Sequence, residues 1–230
     1  MGPLTHVSLL DAAAAAAGDA AAVEAGTTWA ALMERAAGHL ARGVVRLAGR
    51  GYGLKVAFVV GKGNNGGDGW AAARRIADLG ARARVVAVHG LDAEMSEVAA
   101  ANRRRFLDGG GRASGPEGLD EALAWCDVGV DCLLGTGATG APRGPIGDAV
   151  TALLRAADAG TLVVACDVPT GVQVDDGLVP GEAVRADLTV TLGGWKRGLL
   201  LHPGAGHVGL VNVAELGPTC TPPESAWSAL

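Results

Sequence analysis

Long apolar runs, lysines and a basic surface are what this chain has least of. No uninterrupted apolar stretch reaches the length that spans a membrane, and only three of the 230 residues are lysines. Acidic residues number 24 against 19 lysines and arginines, so the net charge is −5. Without a broad basic surface, we expect the chain to bind neither nucleic acid nor an anionic membrane.

Cysteine pairs of the Cys-x-x-Cys kind are also absent. The four cysteines stand at positions 126, 132, 166 and 220. Three of them lie in apolar, strand-like runs, where a reduced and buried thiol is the ordinary state. The alanine run at 12–17 is not expected to be a signal peptide, because Asp11 and Asp19 flank it and no basic segment precedes it. These features predict a cytoplasmic protein.

Three catalytic motifs are missing as well. There is no G-x-x-x-x-G-K-[ST] loop, which argues against hydrolysis of nucleoside triphosphates. The five histidines show neither H-x-x-x-H nor H-E-x-x-H spacing, so no zinc site is predicted. No G-x-S-x-G elbow occurs, and a serine hydrolase therefore has no support.

The most informative stretch is the glycine-rich segment at 61–69, Gly-Lys-Gly-Asn-Asn-Gly-Gly-Asp-Gly. The apolar residues 55–60 before it predict a buried strand. Residues 70–79 after it are good helix formers, and Gly80 ends the predicted helix. A strand, a glycine-rich turn and a helix in this order point backbone N–H groups and a helix N-terminus toward a phosphate group.

The same segment carries more than the G-x-G-x-x-G spacing that begins at Gly61, which alone is a weak indication of dinucleotide binding. It adds the amide and carboxylate side chains of Asn64, Asn65 and Asp68. The alternative is a tight turn filled with polar residues. A turn alone would not need two asparagines and an aspartate, so we favour a binding loop.

Apolar runs and helix-forming segments alternate along the rest of the chain. Besides 55–60, strands are predicted at 84–89, 127–134, 161–167, 186–192 and, at an edge, 208–214. Besides 70–79, helices are predicted at 5–26 (with breaks at Gly18 and Gly26), 28–47, 92–107, 117–125 and 145–158. This alternation predicts an α/β fold, with a doubly wound, mostly parallel sheet and helices on both faces, in three layers. No linker divides the chain, so we expect one domain at 1–217 and a loose tail at 218–230.

In a doubly wound sheet, ligands bind beyond the carboxyl ends of the strands. Polar residues follow several of the predicted strands. They are expected to meet in one crevice and are Asn64, Asn65, Asp68, Asp131, Thr136, Asp167, Thr170 and Lys196. This convergence is the predicted site.

Two aspartates of this set, Asp131 and Asp167, lie within or at the end of apolar runs, where an unpaired carboxylate is costly. Two interpretations are open for each of them. In the functional one the aspartate binds a cation or transfers a proton; in the structural one it caps the next helix or accepts hydrogen bonds from loop N–H groups. Oxygen ligands from Asn65, Asp131 and Thr170 suit a hard cation better than zinc. The sequence does not identify which hard cation is bound. Lys196 either meets a phosphate or carboxylate or is a solvated loop lysine.

An ordinary NAD-dependent dehydrogenase carries an acidic residue at the end of its second strand, where that residue binds the ribose. Here the second strand of the predicted sheet ends at His89-Gly90, and Asp92 lies slightly beyond it. A plain NAD(P)-dependent oxidoreductase is therefore the less favoured interpretation.

The segment at 61–69 resembles the signature loop of the YjeF N-terminal domain family, the NAD(P)H-hydrate epimerases. Four other segments resemble further motifs of that family. They are Leu-Met-Glu-Arg-Ala at 32–36, Asp-Cys-Leu-Leu-Gly-Thr-Gly at 131–137, Asp-Val-Pro-Thr-Gly at 167–171 and Ala-Asp-Leu-Thr-Val-Thr-Leu-Gly-Gly-Trp-Lys-Arg-Gly-Leu at 186–199. The resemblance covers about residues 28–217.

This resemblance implies a Rossmann-like domain, usually a homodimer, that interconverts the R and S epimers of hydrated NADH and NADPH (NADHX and NADPHX). These damaged cofactors carry a hydroxyl at C6 of the reduced nicotinamide ring. Only the S form is taken by a partner ATP- or ADP-dependent dehydratase. The resemblance also implies one potassium ion per subunit, bound by Asn65, Asp131 and Thr170.

The same motifs imply which residues would bind the hydrated dinucleotide. They are Asn64, Asn65, Gly66, Gly67, Asp68, Gly135, Thr136, Gly137, Ala138, Thr139, Gly140, Ala141 and Asp167. Loss of hydroxide from C6 leaves an iminium ion, and water returning to the other face inverts the centre. Asp167 is the expected acid and base for this exchange, with Lys196 as its electrostatic support and Asp68 as the alternative.

Three positions depart from the family pattern. Thr170 stands where serine is commoner, and Lys62 and Arg197 stand where proline is frequent; Lys62 places a cation near the phosphates. No segment resembles the dehydratase domain fused to this one in many bacterial proteins, so the chain alone is not expected to consume ATP. It could then be the epimerase half of a bifunctional protein. A non-catalytic nucleotide-binding or scaffold protein of the same fold is the remaining alternative, which the acidic charge and the intact motifs disfavour.

Overall fold

Strands and helices alternate along the chain in the computed structural model, which describes residues 7–217 and the backbone of 227–229. The strands are β1 (Val7–Leu10), β2 (Lys55–Val60), β3 (Arg82–Ala87), β4 (Arg112–Ser114), β5 (Val128–Cys132), β6 (Leu162–Cys166), β7 (Leu188–Leu192), β8 (Trp195–Lys196), β9 (Leu210–Ala214) and β10 (Trp227–Ala229). The helices are α1 (Ala12–Glu24), α2 (Trp29–Ala48), α3 (Asn64–Ala77), α4 (Glu97–Asp108), α5 (Leu119–Trp125) and α6 (Pro145–Asp158).

The main sheet has seven strands in the order β4-β3-β2-β5-β6-β7-β9, and all of its neighbouring pairs are parallel. From β2 the chain proceeds outward to β3 and β4, and it then returns to begin the other half of the sheet at β5. The order therefore reverses between β2 and β5, which is where a doubly wound sheet opens a crevice for ligands. The predicted doubly wound, mostly parallel sheet is confirmed.

Helices cover both faces of this sheet, as predicted. Phe58 and Val60 of β2 belong to one core cluster with Leu40 of α2 and Trp70 of α3. The intervening residue Val59 belongs to a second cluster, with side chains of α5 and α6. Successive residues of a strand point to opposite faces, so one apolar strand supplies both cores and the fold has three layers.

A second, smaller sheet with the order β10-β1-β8 was not predicted. Residues 7–10 were expected to begin a helix, but they form β1, which pairs in parallel with β8 so that Leu10 lies opposite Lys196. Helix α1 begins only at Ala12, and the Asp11 carboxylate caps it by accepting a hydrogen bond from the Ala14 N–H at 2.7 Å. An alanine-rich segment hides this boundary, because alanine favours helix throughout.

Helix α3 begins six residues earlier than predicted, at Asn64 rather than at residue 70. The glycines that indicated a loop are needed for close packing instead. A Cβ atom on Gly66 would lie 2.0 Å from the Gly61 carbonyl oxygen, and one on Gly67 would lie 2.6 Å from Met33 Cε. Asn65 and Asp68 therefore project from the first turns of a rigid helix and not from a flexible loop.

Other differences are local. The short strand β4 was not predicted. Helix α4 begins at Glu97 rather than at residue 92, because the Ser96 side chain caps it by accepting a hydrogen bond from the Ala99 N–H. Of the predicted loose tail at 218–230, residues 218–226 and 230 lie outside the described residues, and the backbone of β10 pairs with β1. Among the described residues, no helix is both long and apolar enough to cross a membrane.

Candidate functional site

The predicted crevice exists at the carboxyl ends of β2, β5, β6 and β7, where the segments that follow these strands come within contact distance. A Cβ atom on Gly135, after β5, would lie 3.1 Å from Asp167 Oδ2, after β6, and 3.4 Å from the Asn65 side chain, after β2. Residues from three different strand ends therefore share one small volume, as the strand-end pattern predicts.

Asp167 lies at the centre of this volume and has an unusual backbone. Its φ of 70° makes it the one residue other than glycine with positive φ in the described part of the chain. Asp167 Oδ2 accepts hydrogen bonds from the Thr136 hydroxyl and from the Thr136 N–H at 2.9 Å, and Oδ1 accepts one from the Leu192 N–H at 3.3 Å. A strained backbone held by converging donors is typical of functional sites.

Lys196 supplies the charge that pairs with Asp167. Its side chain is 1% exposed, and its Nζ donates to Asp167 Oδ1 at 2.6 Å and to the Leu192 carbonyl oxygen. The interpretation of Lys196 as a solvated loop lysine is therefore wrong. Burial alone would raise the pKa of Asp167, but the Lys196 ammonium and the Thr136 hydrogen bonds outweigh burial and lower that pKa below its usual value. Asp167 is a carboxylate at neutral pH.

Asp131 is fully buried and is bound by the loop after β6. Thr170 donates twice, from Oγ1 to Asp131 Oδ1 and from its N–H to Asp131 Oδ2, each at 2.8 Å. The Leu133 N–H adds a third hydrogen bond at 3.1 Å. Burial raises the pKa of Asp131 to about 6 despite these donors. The carboxylate thus ties the ends of β5 and β6 together.

Asn65 lies beside this pair with one amide atom unsatisfied. Its Nδ2 donates to the Leu134 carbonyl oxygen at 2.9 Å, whereas its Oδ1 is buried without a hydrogen-bond partner among the described residues. A buried acceptor without a donor is costly. Oxygen atoms of Asn65, Leu134, Thr170 and Asp131 therefore line one spot that could hold a hard cation, since such cations bind oxygen ligands. In the described part of the chain, no three His, Cys, Asp or Glu side chains come together as metal ligands.

Asp68, on the second turn of α3, is a third buried carboxyl group. It is 7% exposed, like Asp167. Burial, followed by the charges of Asp167 and Asp19, raises the pKa of Asp68 well above its usual value. The protonated form is therefore favoured much more strongly in Asp68 than in Asp167. Two carboxyl groups with opposite pKa shifts are the arrangement in which one acts as an acid and the other as a base.

Sequence reasoning did not identify Asp19 as a site residue. This half-buried side chain of α1 has its pKa raised by burial, while the Lys196 charge lowers that pKa and the Asp167 charge raises it. The charge of Asp19 therefore interacts with the charges of Lys196 and Asp167. An acidic residue within an alanine-rich helix was the one sequence signal that could have pointed to it.

Some predicted binding residues lie outside this cluster. Asn64 is exposed, and its Oδ1 accepts a hydrogen bond from the Ser96 hydroxyl at 3.1 Å, on the side of α4. Gly137 and Thr139 are exposed on the loop between β5 and α6, and Gly67 packs against α2 and α4. A shallow pocket continues the crevice, and its lining includes Leu134, Gly135, Ala138, Gly140, Pro169 and Thr170.

The chain is similar in sequence to several known proteins. Residues 29–198 match the family described as YjeF-related protein N-terminus. The chain is 39% identical over 197 residues to the NAD(P)H-hydrate epimerase of Clavibacter michiganensis subsp. michiganensis, covering 81% of each protein. It is 40% identical over 179 residues to the bifunctional NAD(P)H-hydrate repair enzyme Nnr of Thermofilum pendens, covering 76% of this chain and 33% of that protein. The chain thus spans about a third of the length of this bifunctional relative.

A solved structure also resembles this fold. The crystal structure of yeast ynu0 (YNL200c) superposes with a TM-score of 0.74 at 23% sequence identity, covering 90% of this chain and 87% of that one. At this level of identity the likeness supports the three-layer α/β fold alone.

Proposed function

The chain belongs to the family of YjeF-related protein N-termini, and on that premise we propose that it is an isomerase that interconverts the R and S epimers of NADHX and NADPHX. The relatives named NAD(P)H-hydrate epimerase support this assignment. The observation in the molecule that carries the proposal is the pair of buried carboxyl groups, Asp167 with a lowered pKa and Asp68 with a raised pKa, at the crevice of a dinucleotide-binding fold.

These two groups fit the chemistry of epimerisation at C6. The departing hydroxide needs a proton, and Asp68, whose raised pKa favours its protonated form, would supply that proton. The water that adds to the opposite face of the iminium ion must lose a proton, and the Asp167 carboxylate can accept it. Transfer of that proton back to Asp68 restores both groups, and the reverse reaction uses the same steps. The buried ammonium group of Lys196 keeps Asp167 ionised.

Thr136 and the glycines of the loop after β5 complete the binding site in this proposal. The Thr136 N–H and hydroxyl position the Asp167 carboxylate. The N-terminus of α3 at Asn64 supplies free backbone N–H groups for the pyrophosphate. Residues 135–141 would cover the nicotinamide end, since Gly135, Ala138 and Gly140 line the adjoining pocket.

We also propose a potassium ion held by Asn65, Asp131 and Thr170. The unsatisfied Asn65 Oδ1 and the fully buried Asp131 carboxylate fit a cation that binds oxygen ligands. The ion would neutralise a carboxylate whose pKa burial raises and would hold the ends of β2, β5 and β6 in place. The chemistry that the ion supplies is this electrostatic and structural support.

The potassium proposal is tested by melting temperature in potassium chloride and in choline chloride at equal ionic strength. A ligand at a hundredfold excess over its Kd stabilises the folded state by about 2.7 kcal/mol, so potassium should raise the melting temperature of the wild type. Asp131→Asn should abolish the difference between the salts, whereas the exposed Asp158→Asn should keep it. An equal response to both salts in the wild type would reject the site.

The family resemblance further implies a homodimer, a separate dehydratase as functional partner and a cytoplasmic location, and we propose all three. Bifunctional relatives are named as repair enzymes, which supports a dehydratase partner. Three buried cysteines without disulfides, Cys126, Cys132 and Cys166, support a reducing compartment.

The epimerase assignment is tested by chromatography of the two epimers. One isolated epimer of NADPHX is incubated with the protein, and the R/S ratio is followed over time. Rapid approach to the equilibrium mixture is expected. No acceleration over the spontaneous rate, by protein that still binds the dinucleotide, would favour a non-catalytic binding protein of the same fold.

A further inference from the structure

A second, shallow pocket lies beside the crevice at the carboxyl ends of β2 and β3. Its lining includes Lys62, Trp70, His89, Gly90, Met95 and Arg103. None of these six residues has a role in the chemistry proposed above. The pocket is therefore a candidate for a separate part of the ligand.

The strand order indicates which part of the dinucleotide this pocket would bind. The sheet reverses its direction between β2 and β5, and a dinucleotide in such a fold lies across this point with its pyrophosphate at the helix that follows the first strand, here α3. Asp167, Thr136 and Lys196 lie over β5, β6 and β7, so the nicotinamide end belongs on that side. The adenosine end then lies over β2 and β3, where the second pocket opens.

The side chain at the end of the second strand distinguishes the two forms of adenosine ribose. In dinucleotide-binding folds, a carboxylate there accepts a hydrogen bond from the ribose 2′-hydroxyl, whereas a cation there accommodates a 2′-phosphate. In this chain β3 leads directly to Val88 and His89, and no carboxylate lines the pocket. The nearby Asp92 and Glu94 are exposed and are not part of the lining.

Two cationic side chains, Lys62 and Arg103, and the imidazole of His89 take the place of that carboxylate. Partial desolvation lowers the pKa of His89 and the charge of Lys62 lowers it further, so His89 is neutral at neutral pH and would meet a phosphate as a ring N–H donor beside the Lys62 ammonium group. Arg103 Nη1 donates to the carbonyl oxygens of Leu91 and Ala93, the latter at 2.9 Å. Arg103 thus holds the loop after β3 as a wall of the pocket while its guanidinium charge remains at the lining.

We propose that this pocket binds the 2′-phosphate of the adenosine ribose, with Lys62 and His89 as the phosphate ligands, so that the chain favours the hydrate of NADPH over the hydrate of NADH. The proposal rests on the dinucleotide substrate proposed above and adds its specificity. Lys62 and His89 are both exposed and able to reach a phosphate, and Trp70 gives the pocket a buried floor.

The test uses two adenosine fragments without a nicotinamide ring, adenosine 2′,5′-bisphosphate and adenosine 5′-monophosphate, in titration calorimetry with the full chain. A charged hydrogen bond contributes enough to change affinity by roughly tenfold. We expect the bisphosphate to bind about tenfold more tightly, since it alone carries the 2′-phosphate. The double variant with Lys62→Gln and His89→Gln should bind the two fragments equally. Lys55→Gln, at the opposite end of β2, should keep the preference.

Equal binding of the two fragments by the wild type would overturn the proposal, and so would a preference that survives in the double variant. Melting temperatures of all variants establish that they fold. The R/S ratio of NADPHX, followed on the same samples, reports separately on the epimerase. A preference for the bisphosphate without epimerisation would leave the 2′-phosphate pocket in place and reject the reaction; epimerisation without the preference would do the reverse.

Discussion

The end of β6 and the second turn of α3 each bring one aspartate into the same crevice, and the pKa values of these two aspartates are shifted in opposite directions. Asp167 and Asp68 are both 7% exposed. The pKa of Asp167 is lowered, whereas the pKa of Asp68 is raised well above its usual value. Burial is equal, so burial does not decide the protonation state.

The charged groups and hydrogen-bond donors around each aspartate decide its protonation state. The end of β6 offers Asp167 a buried ammonium group from Lys196 and three N–H or O–H donors. Around Asp68, no hydrogen bond from a side chain or backbone N–H is found within the described ranges, and its charged neighbours in the crevice, Asp167 and Asp19, are of the same sign. An opposite charge favours ionisation and a like charge disfavours it. Environment thus gives two identical residues an acidic and a basic role.

The largest expected effect comes from Asp167→Asn, which removes the ionised member of the pair. Asparagine tolerates the left-handed backbone at this position, so the fold should survive. Loss of a catalytic base costs about 10²–10⁴ in rate, and we expect kcat for epimerisation to fall within that range. The substitution would also leave the buried ammonium group of Lys196 without its counter-charge. Removal of one partner from a buried ion pair lowers the free energy of unfolding by about 3–5 kcal/mol. Chromatographic rates and thermal melting measure the two effects.

The matched control is Asp158→Asn. Asp158 is in an exposed ion pair with Arg185, at 2.5 Å, and such pairs contribute little to stability. Neither rate nor melting temperature should change. Full epimerase activity in a folded Asp167→Asn protein would remove Asp167 from the mechanism and leave Asp68 to serve as both acid and base.

Asp68→Asn should have a smaller effect on rate and a distinct effect on pH dependence. A general acid acts in its protonated form, so wild-type activity should be lost as pH rises through the raised pKa of Asp68. The variant should lose roughly 10²-fold in kcat and should lack this alkaline decline. A wild-type profile that stays flat into the alkaline range would contradict the assignment.

The same substitution gives a stability test with a fixed sign. The folded-state pKa of Asp68 lies above its unfolded value, so its favourable contribution is complete below the unfolded pKa and is lost as pH rises through the folded one. The free energy of unfolding of Asp68→Asn should therefore increase relative to the wild type toward alkaline pH. Urea unfolding at several pH values measures this difference.

The contrast between the two regions also marks what the sequence could predict. The apolar runs located six of the seven strands of the main sheet, all but β4, and the rule that ligands bind at strand ends placed Asp131 and Asp167 in one crevice. The burial of Lys196 could not be predicted, because its partner is 29 residues away and its position depends on the pairing of β8 with β1. Local patterns report which residues alternate with apolar neighbours; they do not report which distant charge will face a buried group.

The segment at 61–69 illustrates a second limit. Glycine disfavours helix in isolated peptides, so the run of glycines was assigned to a loop. In the folded chain, Gly66 and Gly69 lie so close to Gly61 and Val60 that any side chain would collide with them. Tertiary contacts therefore override the local preference, and the helix that begins at Asn64 aims Asn65 and Asp68 more rigidly than the predicted loop would.

The smallest effect is expected from Asp19→Asn, and it tests the electrostatic side of the comparison. Asp19 is an ionised neighbour whose charge raises the pKa of Asp68. Without that charge the pKa of Asp68 should fall, and the alkaline decline of epimerase activity should move to lower pH. Asp19 transfers no proton in this mechanism, so kcat at neutral pH should change by less than about threefold. Glu24→Gln, an exposed substitution on the same helix, should leave the profile in place. If the decline stays fixed in Asp19→Asn, or moves equally in Glu24→Gln, then the charge of Asp19 does not set the protonation state of Asp68, and burial together with the charge of Asp167 must account for its raised pKa.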